Sequence, residues 1–76
     1  MQIKLYNLRK NQKHLTQKEL AAMLGISTKS YRDKELGHQQ FTQDEMFKIS
    51  DIFNAKLEDI FLPRKYQNGT RNKWEG

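Results

Sequence analysis

Thr28, Lys29, Arg32 and Asp33 fall at positions i, i+1, i+4 and i+5, so a helix through them gathers a hydroxyl, two cationic donors and a carboxylate on one outward face. Such a set can exchange hydrogen bonds with a polar, structured partner. Covalent chemistry would need something else: a nucleophile, an acid–base pair or a set of metal ligands. The chain has no cysteine, two isolated histidines and no carboxylates clustered around a plausible pocket, so no catalytic residue, metal site, cofactor or small-molecule ligand is expected.

The elements that must position this face lie between Thr16 and Gly37. Thr16 and Glu19 form a capping box, in which each side chain satisfies a backbone amide at the other's position, and this fixes a helix start. Leu20, Ala21 and Leu24 recur at helical spacing, and Gly25 follows where a left-handed residue ends a helix at little steric cost. Ile26 packs inward through the turn. Ser27 caps a second helix whose apolar members are Tyr31 and Leu36, and Gly37 ends it. Two helices joined by so short a turn cross steeply, so Ala21 is expected at the crossing, where a leucine would push them apart and unfold the domain.

Before this unit, Leu5 and Leu8, with Ile3 or Tyr6 beside them, mark a first helix of about three turns whose polar face carries Arg9, Lys10 and Lys13. His14 precedes the next helix at a position suited to a left-handed backbone, which histidine tolerates better than most residues. After the unit, His38, Gln39 and Gln40 form a polar loop and Phe41 returns the chain to the core. Thr42 and Glu45 make a second capping box, opening a helix with Met46, Ile49, Ser50 and Phe53 as its inner stripe and Asn54 at its end. Phe47 and Ile52 lie beside that stripe, as peripheral core or as a subunit contact. Leu57, Ile60 and Phe61 define a last turn or two, with Glu58 and Asp59 near its positive end. From Pro63 the chain is polar, with Tyr66 and Trp74 its large apolar members; a flexible tail over 63–76 is expected, although Asn68-Gly69 is a hairpin-turn signal.

At 76 residues the chain makes one domain, with roughly 60% of its unfolded surface buried on folding, which leaves little room for a deep cleft. The lack of cysteine fits a reducing cytoplasm, and no segment approaches the ~20 apolar residues of a membrane span. The net charge of +5 is unevenly spread. Residues 1–40 hold eight basic and three acidic side chains, residues 41–62 two and five, and residues 63–76 four and one. The side that carries the outward polar face is therefore the basic one, as a phosphate-facing surface should be.

Thr16, Gln17, Glu19, Leu20, Ala21, Leu24, Gly25, Ile26 and Ser27, followed by Tyr31, Glu35 and Gly37, carry the pattern T-Q-x-E-L-A-x-x-L-G-I-S and x-x-x-Y-x-x-x-E-x-G. This resembles the helix-turn-helix of the Cro/repressor, or xenobiotic-response-element, family of bacterial and phage regulators, and the resemblance extends to about residue 62. It implies an all-α, compact five-helix lambda-repressor-like DNA-binding domain over 1–62, acting as a small transcriptional regulator of phage or prophage type on a double-stranded DNA operator. In such an arrangement the helix over 27–36 enters the major groove. Thr28, Lys29, Arg32 and Asp33 would contact bases, with Lys29 or Arg32 donating to guanine, Asp33 accepting from cytosine or pairing with Arg32, and Thr28 touching a thymine methyl or a phosphate.

The same resemblance implies phosphate contacts by Gln17, with Lys18, Ser27, His38 and Gln39 as further candidates, and an ion pair between Arg9, or Lys10 in its place, and Glu35. It implies a homodimer interface at Phe47, Lys56, Leu57, Leu62 and Pro63. Aligned on Leu5, Leu8 and Arg9 it leaves one extra residue before Leu15, so that connection is expected to be one residue longer. Lys56 stands where relatives commonly have a capping Ser or Thr. The alternative in another class is a protein-interaction module, antitoxin-like or antirepressor-like, on the same fold.

Overall fold

The structure, a computed structural model, describes residues 1–61. The expectations for Leu62, Pro63 and the tail over 63–76 lie outside the described residues. Among the described residues there are five helices and no strand. Helix α1 is α-helical over Ile3–Asn7 and runs directly into a π turn over Leu8–Gln12. It is followed by α2 (Gln17–Leu24), α3 (Thr28–Leu36), α4 (Gln43–Phe53) and the single-turn α5 (Leu57–Ile60).

The boundaries of α2, α3 and α4 have local chemical causes. Thr16 Oγ1 accepts from the Glu19 amide at 3.0 Å while Glu19 returns a carboxylate to the Thr16 amide at 2.8 Å. Thr42 and Glu45 repeat the exchange at 3.1 and 2.9 Å, so both capping boxes form. Ser27 caps α3 through the Ser30 amide at 3.0 Å. Gly25, Gly37 and Asn54 all adopt left-handed backbone and close α2, α3 and α4. Lys56 supplies no side-chain cap to α5.

One expectation is corrected, and α1 has a feature of its own: it ends in a π turn, which holds one residue more than an α turn, with a bond from the Lys13 amide to the Leu8 carbonyl. His14 then reverses the chain at φ +55°. Leu36 does not join the core: it is 40% exposed, because the last turn of α3 rotates it away from the Tyr31 side.

The core is built from Leu5, Leu20, Ala21, Leu24, Tyr31, Phe41, Ile49, Phe53 and Ile60. Ala21 is 1% exposed in the pair formed by α2 and α3, the tightest contact between separate helices, as a small residue there requires. Tyr31, Phe41 and Phe61 make a row of edge-on ring contacts, with centroids 5.9 and 5.3 Å apart, that ties α3 to the end of α5.

Candidate nucleic-acid interface

Helix α3 has two faces with different chemistry. Its inner face is fixed by Tyr31, Lys34 and Glu35, all buried. Glu35 accepts Arg9 Nε on Oε2 at 2.9 Å and Arg9 Nη2 on Oε1 at 3.2 Å. Gln17 Nε2 also donates to Oε1 at 2.9 Å, and the Tyr31 hydroxyl to Oε2 at 2.7 Å. The Gln2 amide meets the Glu35 backbone carbonyl at 2.7 Å. A single carboxylate thus joins α1, the first turn of α2 and α3, and a buried charge is tolerated because every oxygen is satisfied. The network shifts its members: burial and the donated bond to Glu35 push the Tyr31 hydroxyl far up, while for Arg9 burial acts downward and is outweighed by Glu35, which raises it. Arg9, rather than Lys10, is the partner of Glu35; Lys10 lies over the Tyr6 ring at 5.5 Å.

A second ion pair, largely but not fully buried, secures the same helix. Lys34 Nζ sits 2.7 and 2.8 Å from the two oxygens of Glu45, the residue that also completes the capping box of α4. Burial pushes the Glu45 carboxyl up, but the Lys34 and Thr42 hydrogen bonds and the Lys34 charge outweigh it and hold it below the usual range. Sequence reading missed this pair. Glu45 was legible as a cap, but nothing in the spacing of Lys34 and Glu45 shows that the loop folds one onto the other.

The outer face carries Thr28, Lys29, Arg32 and Asp33. Lys29 and Arg32 are exposed, while Thr28 and Asp33 are half-buried. Asp33 is held by Lys29, Nζ to Oδ2 at 3.0 Å, and not by Arg32. The reason is helical spacing: i and i+4 side chains are stacked neighbours, whereas i and i+1 diverge by about 100°. The Lys29 bond, aided by the nearby His38 and Arg32 charges, keeps the Asp33 carboxyl below its usual range.

The residues expected to meet phosphate divide into two groups. Lys18, Ser27, His38 and Gln39 are exposed, the last two on the loop whose amides donate to the Asp33 carbonyl at 2.8 and 3.3 Å. Gln17 is half-buried with its amide nitrogen turned inward to Glu35, a tie the sequence did not reveal. Phe47 is 49% exposed, Lys56 exposed and Leu57 half-buried, so the described part of the expected dimer surface is open to solvent. Among the described residues no group of three or more His, Cys, Asp or Glu could hold a metal, and no helix is long and apolar enough to cross a membrane.

A capped helix, a left-handed glycine turn and a second helix with a polar outer face define a helix-turn-helix unit. Residues 5–60 match the family described as Helix-turn-helix, and the chain belongs to that family, the DNA-binding domain of transcriptional regulators. It is similar to an uncharacterized HTH-type transcriptional regulator of Archaeoglobus fulgidus, 37% identical over 49 residues that make up 64% of this chain and 69% of the relative. A second uncharacterized HTH-type transcriptional regulator, from Methanocaldococcus jannaschii, is 39% identical over 49 residues, 64% of this chain and 74% of the relative. No solved structure matches with comparable significance.

Proposed function

We propose that this domain binds double-stranded DNA sequence-specifically as a Cro/repressor-type transcriptional regulator, with α3 in the major groove. The observation that carries the reading is the division of α3: its inner face is locked by a buried ion pair to Arg9 and a largely buried one to Glu45, while its outer face exposes Arg32 and Lys29, the latter paired with Asp33. A rigidly held helix that presents donors and an acceptor outward suits base-edge recognition, where side chains must meet fixed atoms in the groove. Thr28, Lys29, Arg32 and Asp33 face the bases in this reading. Lys18, Ser27, His38 and Gln39 flank them toward the phosphates, with Gln17 offering its second amide hydrogen at the start of α2.

One recognition helix spans too few base pairs to outcompete abundant non-specific DNA, so the working unit is a two-fold dimer on an inverted repeat. The exposed Phe47 and Lys56, with Leu57 beside them, supply the described part of its contact. That interface is small, and the free protein is expected to be monomeric at low concentration. The test is titration of a duplex recovered by selection from a random pool, against the same duplex with one half-site scrambled. Two chains per duplex and a marked loss of affinity on scrambling support the reading. Equal affinities with one chain per duplex overturn the dimer, and no preference for any duplex moves the function to a protein-interaction module.

A further inference from the structure

Lys29 and Asp33 are joined on the outer face of α3, and their geometry has a counterpart in DNA. Lys29 is 77% exposed and gives one of its three ammonium hydrogens to Asp33 Oδ2 at 3.0 Å, which leaves two donors. Asp33 is 21% exposed, and because a carboxylate oxygen has two lone pairs, Oδ2 keeps one for a second donor beside its Lys29 bond, while Oδ1 has His38 Nδ1 at 4.0 Å, too far for a hydrogen bond. The unit is thus a cationic donor and an anionic acceptor side by side, with no net charge.

In the major groove a G·C pair shows the complement: guanine N7 and O6 accept, and the cytosine N4 amino group donates. Guanine O6 and cytosine N4 are themselves joined by a Watson–Crick hydrogen bond of ordinary N–H···O length, ~2.9 Å. That spacing matches Nζ to Oδ2. Resting on the placement of α3 in the major groove, we infer that Lys29 and Asp33 act as one reader of a single G·C pair, with Lys29 donating to guanine and Asp33 accepting from the cytosine amino group. The four groups then close a ring of hydrogen bonds in which no charge is left unpaired. The pairing also explains how a carboxylate can sit on a face turned toward a polyanion: alone it would be repelled, and bound to Lys29 it approaches as half of a neutral unit. Arg32, exposed, three residues beyond Lys29 and not bonded to Asp33, is left to read a different pair.

The test is selection from a random duplex library by wild type, Lys29→Ala, Asp33→Ala, Asp33→Asn and the double Lys29→Ala/Asp33→Ala variant, followed by titration of the recovered duplexes. Far-UV circular dichroism establishes that each variant is folded. The wild type should restrict one position per half-site to a G·C pair and lose about 10-fold or more in affinity when that pair becomes A·T. Asp33→Ala should lose the restriction while binding non-specific duplex more tightly, because a like charge has left the face. Asp33→Asn should admit adenine, which presents the donor and acceptor that an amide matches. The double variant should lose no more discrimination at that position than either single one. Retention of the G·C restriction by Asp33→Ala, or single losses that simply add in the double variant, would overturn the shared reader while leaving DNA binding intact. A wild type that recovers no preferred duplex at all would instead defeat the major-groove placement on which it rests.

Discussion

Arg9 and Glu35, 26 residues apart, meet through two hydrogen bonds of 2.9 and 3.2 Å with both side chains almost wholly shielded from water. The pair fixes α3 to α1. Intact, it adds little net stability, because two charges were desolvated to make it; broken, it strands a buried charge. Glu35→Ala and Arg9→Ala are each predicted to cost ~3–5 kcal/mol, read from urea melts. Replacing both by apolar residues of similar size, Arg9→Met with Glu35→Leu, should recover only part of that loss, because the buried Tyr31 hydroxyl and the Leu15 carbonyl then lose their partners. A Glu35→Ala melting temperature equal to the wild type's would contradict the account.

Ala21 packs between α2 and α3 at 1% exposure, with no room for added methylenes. Ala21→Leu is predicted to destabilise the domain by ~1–3 kcal/mol or to unfold it, since overpacking forces the helices apart. Ala22→Leu, at the exposed neighbouring position, should be near neutral. Equal effects of the two substitutions in thermal denaturation would remove Ala21 from the crossing.

His14 holds φ +55° on an exposed corner between α1 and α2. A residue with a Cβ pays a steric penalty there that glycine avoids, partly offset by the greater freedom of glycine in the unfolded chain. His14→Gly is therefore predicted to stabilise by about 0.5–1 kcal/mol, a rise in melting temperature of a few degrees for a domain this small. A fall would show that the histidine side chain makes a compensating contact.

Glu45 has its carboxyl held below the ordinary value of 4.5 by Lys34 and the cap of α4, against the upward push of burial. A carboxyl whose folded pKa is depressed contributes stability that is present above its ordinary value and disappears as the pH falls through the lowered one. Stability should accordingly decline below pH about 4.5, and Glu45→Gln should flatten this part of the pH profile while lowering stability at pH 7. An unchanged acid limb in Glu45→Gln, followed by urea denaturation between pH 2.5 and 7, would deny Glu45 this role.

Much of this arrangement was legible in the sequence because it is set by local rules. Capping boxes at Thr16 and Thr42, left-handed Gly25, Gly37 and Asn54, and apolar spacing in α2 and α4 depend on residues within one turn of each other. The Arg9–Glu35 pair was accessible through the family pattern alone. What could not be read was the long-range satisfaction of polar groups: Gln17 turned inward to Glu35 and Lys34 reaching Glu45. Each follows from how the helices close on one another, which no spacing along the chain encodes. Leu36 failed for a different reason: five residues after Tyr31, it lies well around the helix from the buried face, although Lys34 and Glu35 of the same turn are buried.

The most direct test of sequence-specific binding through α3 is a fluorescence-anisotropy titration of wild type and Arg32→Ala on a selected duplex and on a scrambled one, at two salt concentrations. Arg32→Ala is predicted to lose ~1–3 kcal/mol on the selected duplex and much less on the scrambled one. Equal losses on both, with the salt slope lowered by ~1, would reduce Arg32 to a phosphate contact, and a wild type that binds the two duplexes alike would contradict base reading by this helix.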